Sequence, residues 1–223
     1  MRTSHHRRLH ALAIAGVLAC NGALANGQPE RDEGAAWWQW ALSIPGAVNP
    51  LNDVTGQYCM VGQSGDTWFL GGSFNGGTVS RSCSLPQGAR LFFPVANSVN
   101  FDTPGVCGQG ASLTVSQLRG FSASFIDSLT RVSATLNGVP VREVRRLRSK
   151  VFALALPGEN LFAPFCGSSP VPAGLYSRSV DEGYYGEIEN LRVGTHTLQL
   201  VASGPGFDLN VTYTLTVVPR DRR

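Results

Sequence analysis

The sequence contains no G-x-S-x-G, no Cys-x-x-Cys and no D-x-[DN]-x-[DN]-G segment, and it has one lysine, Lys150. Each absence removes a class of chemistry. Without a nucleophile elbow there is no strained serine of the α/β-hydrolase kind, and Gly62-Gln63-Ser64-Gly65 fails the pattern because Asp66 follows. Without paired cysteines at metal-ligand spacing a zinc site is not expected. Without the acidic loop there is no EF-hand, although Asp181 and Glu182 could join an irregular calcium site. No metal and no cofactor are expected. Beyond residue 25 no apolar run approaches the roughly 20 residues that a membrane-spanning helix needs, and no repeat of fixed period is visible.

The first 25 residues are unlike the rest. Arg2, Arg7 and Arg8 precede an apolar stretch from Leu9 to Ala19, and Ala23-Leu24-Ala25 has small residues at the spacing of a signal-peptidase site. A secretory signal over residues 1–25 is the expectation, with a single domain over 26–223. Its removal takes three arginines and no acid from the formal net charge of +3, leaving 15 basic against 15 acidic residues. Nucleic acid is therefore not an expected partner. Val17-Leu18-Ala19-Cys20 loosely resembles a lipobox, so membrane attachment is expected only if Cys20 is acylated. The arginine bias, with abundant alanine and glycine, suggests a bacterial source.

Four cysteines remain after Cys20: Cys59, Cys83, Cys107 and Cys166. An even number in an exported chain predicts two disulfides, and three pairings are possible. Cys59–Cys83 with Cys107–Cys166 is favoured, because the first pair flanks one compact strand-rich segment. The expected location is periplasmic or extracellular.

Roughly 198 residues suffice for one well-buried core. Residues 33–44 predict a helix with Trp37, Trp40, Ala41 and Ile44 on one stripe and Trp38 off it. Pro45 ends it. Thr114 with Gln117 forms a capping box opening a second helix, 114–129, whose apolar stripe is Leu118, Phe121, Phe125 and Leu129. Short strands fill the remainder. Leu91 to Val95 reads as a buried strand that Pro94 confines to an edge or a bulge. Asn137-Gly138 marks a type I′ hairpin turn, and Leu209 to Val218 alternates strictly. The expected fold is mainly β, an antiparallel sandwich of immunoglobulin-like or jelly-roll-like form with two short covering helices.

The segments Trp37-Trp38-Gln39-Trp40, Gly62-Gln63-Ser64-Gly65, Trp68-Phe69-Leu70, Leu91-Phe92-Phe93-Pro94, Leu136-Asn137-Gly138-Val139-Pro140-Val141, Asp181-Glu182-Gly183-Tyr184-Tyr185 and Gly194-Thr195-His196-Thr197-Leu198 resemble, in order, a family of exported bacterial proteins of uncharacterised function. The resemblance implies one compact domain and transfers no catalytic residue.

Candidate site residues are few. His196, the one histidine past residue 25, shares a strand face with Leu198 and Leu200 and reads as a satisfied boundary residue. A strand over 183–189 would place Tyr185, Glu187 and Glu189 on one face. Two carboxylates roughly 7 Å apart along a strand fall loosely within the glycosidase range. Any solvated strand with two glutamates gives the same spacing. Arg142, Arg145, Arg146, Arg148 and Lys150 form a basic cluster, read as a solvated edge that discourages sheet-to-sheet pairing. An alternative is a patch for lipopolysaccharide or acidic glycans, with Arg145 and Arg148 as its contacts. Trp38, Tyr184 and Tyr185 are candidates for stacking on a sugar. The expected function is a non-enzymatic binding or cell-envelope module with a glycan or envelope component as partner. The alternative is a carbohydrate-active enzyme using Glu187 and Glu189.

Overall fold

Three indoles on one short helix organise one layer of the protein. In the computed structural model, which describes residues 32–162, 166 and 171–220, helix α1 spans Glu33–Ser43. Asp32 caps its start by accepting from the Ala35 amide at 3.2 Å. Asn49 satisfies its other end, donating through Nδ2 to the Ala41 and Ile44 carbonyls at 2.7 and 2.8 Å. Carbonyls that a helix terminus leaves without partners are thus taken up by a buried side chain. The expected signal segment 1–25 and Cys20 lie outside the described residues.

Among the described residues ten strands follow, in two five-stranded sheets. The first sheet orders β1 (Thr67–Phe69), β3 (Arg90–Phe101), β8 (Gly174–Ile188) and β6 (Val144–Arg148), with β7 (Phe152–Leu156) also paired to β8. The second orders β2 (Gly77–Pro86), β10 (Phe207–Val218), β9 (Gly194–Gly204), β4 (Arg131–Leu136) and β5 (Val139–Pro140). The fold is mainly β and sandwich-like, with two helices, as expected. It departs from the expectation in not being wholly antiparallel: β1 runs parallel to β3, and β2 runs parallel to β10 over ten residue pairs. Parallel neighbours need long crossovers, and β2 and β10 are separated by most of the chain.

Alternation explains the layer between the sheets. Leu209, Val211, Tyr213, Leu215 and Val217 of β10 meet Leu198, Leu200 and Ala202 of β9, and all are buried against Leu91, Phe93 and Val95 of β3. Phe92 and Tyr185 point the opposite way and pack under α1 with Trp37, Trp38 and Leu154. Burial on both faces is what the unbroken apolar run Leu91–Val95 requires. Pro94 does not put β3 at an edge. The strand is internal and its register with β8 shifts between Pro94 and Ala96, the bulge alternative. The extra residue reverses the faces, so Phe92 lies on the α1 side before the bulge and Asn97 and Val99 lie there after it.

Both disulfides pair as favoured, Cys59–Cys83 and Cys107–Cys166. The Asn137-Gly138 turn has positive φ at both residues, 52° and 78°, as a type I′ hairpin requires. Helix α2 (Val115–Ser128) has the full Thr114–Gln117 capping box. Its buried face differs from the expected stripe and consists of Leu118, Ser122 and Ile126, while Phe121 is 52% exposed. The helix lies across β3 and β8 on residues spaced by four. Phe125 turns instead to the ring of Phe207, 5.1 Å away.

Candidate functional site: an aromatic cleft backed by a buried carboxyl

At and just beyond the bulge, residues 94–99 of β3 line a cleft. Its cavity volume is about 330 Å³, within the usual range for small-molecule sites. Trp37 and Trp38 of α1 form one wall; Phe74, Phe125, Phe162 and Phe207, from four separate segments, form much of the rest. Ser73, Asn97 and Ser98 are the polar side chains among the lining residues, and no charged residue lines it.

Asn97 connects this cleft to the least expected group in the core. Its Nδ2 donates to the Tyr185 hydroxyl at 2.9 Å. That hydroxyl donates to Asp181 Oδ1 at 2.9 Å, and the Trp38 indole N–H donates to the same oxygen at 2.7 Å. Asp181 is 1% exposed and its second oxygen, Oδ2, has no hydrogen-bond partner among the described residues. Burial pushes the Asp181 carboxyl up to about 7. The bonds from Trp38 and Tyr185 act against that, and the charges of Asp32 and Glu182 add to it. Burial also raises the Tyr185 phenol well above its ordinary value. Asn97 pairs across the sheet with Gly183, where an added Cβ would overlap the Asn97 Cβ and lie 2.8 Å from its Cα, so the glycine leaves the room that Asn97 occupies.

The sequence-derived candidates are placed differently from one another. Trp38 is not on the surface, as its position off the apolar stripe had implied; it is 5% exposed, because α1 is covered on two flanks. It still lines the cleft. Tyr185 is buried behind the cleft wall and Tyr184 packs into the layer between the sheets, so neither offers an open ring face. Asp181 and Glu182, weighed as calcium ligands, are interior residues of β8. Glu187 is held by Arg90 at 2.6 Å, with Arg145 at 4.0 Å, while Glu189 is exposed just beyond the end of β8. Neither glutamate lines the aromatic cleft. The basic cluster does supply an edge strand, β6. Arg146 and Arg148 both reach the buried Glu182, Arg148 at 3.0 Å, and Arg145 and Arg148 remain 57% exposed. His196 is satisfied at the boundary by Asn137 at 3.1 Å and the Arg192 carbonyl at 2.8 Å.

Two features were missed from sequence. One is the Asn97–Tyr185–Asp181–Trp38 chain. The other is Arg81, 3% exposed, which donates to the carbonyls of Asp53, Gly71 and Gly72 and to the Tyr213 hydroxyl at 2.6–2.9 Å. The signal for Arg81 was present, since it shares a strand face with Val79, Cys83 and Leu85. Among the described residues no group of His, Cys, Asp and Glu is arranged to hold a metal. No family model matches the chain, and no curated protein or solved structure matches it either.

Proposed function

We propose that this protein is an exported, non-enzymatic binding module that takes a small, mainly apolar ligand into the cleft between α1, the β3 bulge and α2. The observation that carries this reading is an aromatic-walled cavity whose polar side chains are limited to two serines and one amide. Such a site binds by burying apolar surface and orients its ligand through a few polar groups. Catalysis would need an activated nucleophile or a free acid–base pair at the cavity wall; among the described residues no ionisable side chain lines the cleft, and Asp181 and Tyr185 stand behind its wall. The paired-carboxylate reading has less support, because the oxygens of Glu187 face Arg90 and Arg145.

Export is supported by the n-region, h-region and cleavage pattern of residues 1–25 and by two disulfides, which persist in oxidising compartments. No helix among the described residues is long and apolar enough to cross a membrane. The proposed location is periplasmic or extracellular, with surface attachment if Cys20 is acylated.

The test is fluorescence titration with the neutral dye N-phenyl-1-naphthylamine. Saturable enhancement is expected for the wild-type chain. Ser98→Trp, which places an indole in the cleft, should abolish it while leaving the circular dichroism spectrum and the unfolding midpoint near wild type. Enhancement that is absent, or unaffected by a folded Ser98→Trp, overturns the proposal.

A further inference from the structure

The buried chain behind the cleft fixes which end of the Asn97 amide faces a ligand. The Trp38 indole can only donate, and its partner is Asp181 Oδ1. An ionised carboxylate can only accept. Tyr185 has one proton, which goes to the same Oδ1 at 2.9 Å. What the phenol oxygen has left is a lone pair, and a lone pair needs a donor. With Asp181 ionised, Asn97, 2.9 Å away, therefore turns its Nδ2 inward to Tyr185. Its Oδ1 is left for the cleft that Asn97 lines; the Asn97 side-chain hydrogen bond among the described residues runs through Nδ2. The orientation follows from counting protons along the chain, not from the similar shapes of the two amide ends.

From this we infer that the cleft selects an apolar molecule carrying a single neutral hydrogen-bond donor, of the alcohol class, whose hydroxyl donates to Asn97 Oδ1. The inference rests on the proposed binding function and adds the polarity of the ligand's head. A carboxylate head is rejected twice. It sets acceptor against acceptor at Asn97, and it buries an anion where no cationic side chain lines the wall. Tyr185 and Asp181 touch no ligand; they are positioning residues that act through Asn97.

The experiment displaces the bound dye with two probes sharing one skeleton, 4-phenyl-1-butanol and 4-phenylbutyrate. It is run well above neutral pH so that Asp181 is ionised. The alcohol is expected to displace dye at about tenfold lower concentration than the carboxylate, the size of one well-placed hydrogen bond. Asn97→Leu should remove that preference while dye binding persists. Tyr185→Phe gives a second route if Asn97→Leu does not fold. It frees the amide to rotate, and the two probes should then converge, a change that a merely structural role would not produce. Equal or better displacement by the carboxylate in the wild type overturns the inference, as does failure of both probes to displace bound dye. Failure of the dye itself to bind counts against the proposed function instead.

Discussion

Asp181 is a buried carboxyl with one oxygen unpartnered among the described residues, in a core that also holds Arg81 and Glu182. Its folded-state carboxyl sits near 7 against an ordinary value of 3.8, so between about pH 4 and 7 the native state holds a proton that the unfolded chain has released. Stability from this group is present at low pH and is lost as pH rises through the folded value. Asp181→Asn should therefore flatten the fall in the unfolding midpoint between about pH 4 and 7. Thermal melts of the two proteins across that range check this, and parallel profiles would contradict it. Gly34 is the second residue to test. Alanine normally favours a helix over glycine by about 1 kcal/mol, but a methyl here would lie 2.5 Å from Asp181 Oδ2. Gly34→Ala should then destabilise by about 1–3 kcal/mol, as overpacking does. A gain in denaturant stability would show that the helix has room to move. Arg81 presents the reverse case, a buried cation held by carbonyls and a phenol. Arg81→Ala should cost about 3–5 kcal/mol, measured by denaturant unfolding, because the Asp53 and Gly72 carbonyls and the Tyr213 hydroxyl lose a buried donor, while the Gly71 carbonyl keeps Tyr213.

Among the elements, α1 and β3 were the best and the worst foreseen. The helix boundaries, the Trp37–Trp40–Ala41 stripe and the stop at Pro45 follow from local spacing, and all three appear. What spacing could not show is that α1 is gripped on both flanks. Trp37 donates to the Leu70 carbonyl at 3.0 Å, Trp40 to the Val61 carbonyl at 3.0 Å, and Trp38 to Asp181. A stripe analysis assumes one buried face; a helix laid in a trough buries more. Asn49 closes that trough. Asn49→Ala should cost about 1–3 kcal/mol, since the Ala41 and Ile44 carbonyls are buried and lose their donor. A native midpoint for this variant would mean water replaces the amide. In β3, Pro94 announced an irregularity without saying which kind, because the choice between edge and bulge depends on which strands arrive on either side. Strand β6 was legible only as charge. Its arginines satisfy Glu182 on one face of an edge strand, a pairing that becomes apparent once β8 is seen to begin at Gly174 and not at Gly183.

The assembled domain is fastened by two covalent links of different accessibility. Cys59 and Cys83 are buried at 7% and 5% exposure, whereas Cys107 lies on the surface. Mild reduction should open Cys107–Cys166 first, and mass mapping of alkylated thiols would show the order. That link closes a loop of 59 residues, so its loss should cost about 4 kcal/mol on a chain-entropy account. An unchanged unfolding midpoint after selective reduction would mean the segment is held by packing alone. Short-range patterns were enough to establish a β-rich, disulfide-linked domain with two helices, the second opened by a capping box, and an Asn-Gly hairpin, because alternation, capping and turn chemistry act between residues close in the chain. The parallel pairing of β2 with β10, the burial of Trp38, and the cleft with Asn97, Tyr185 and Asp181 behind it emerged only on folding. They join residues up to 143 positions apart, and a periodic pattern states which face of a strand is apolar without stating what will cover it.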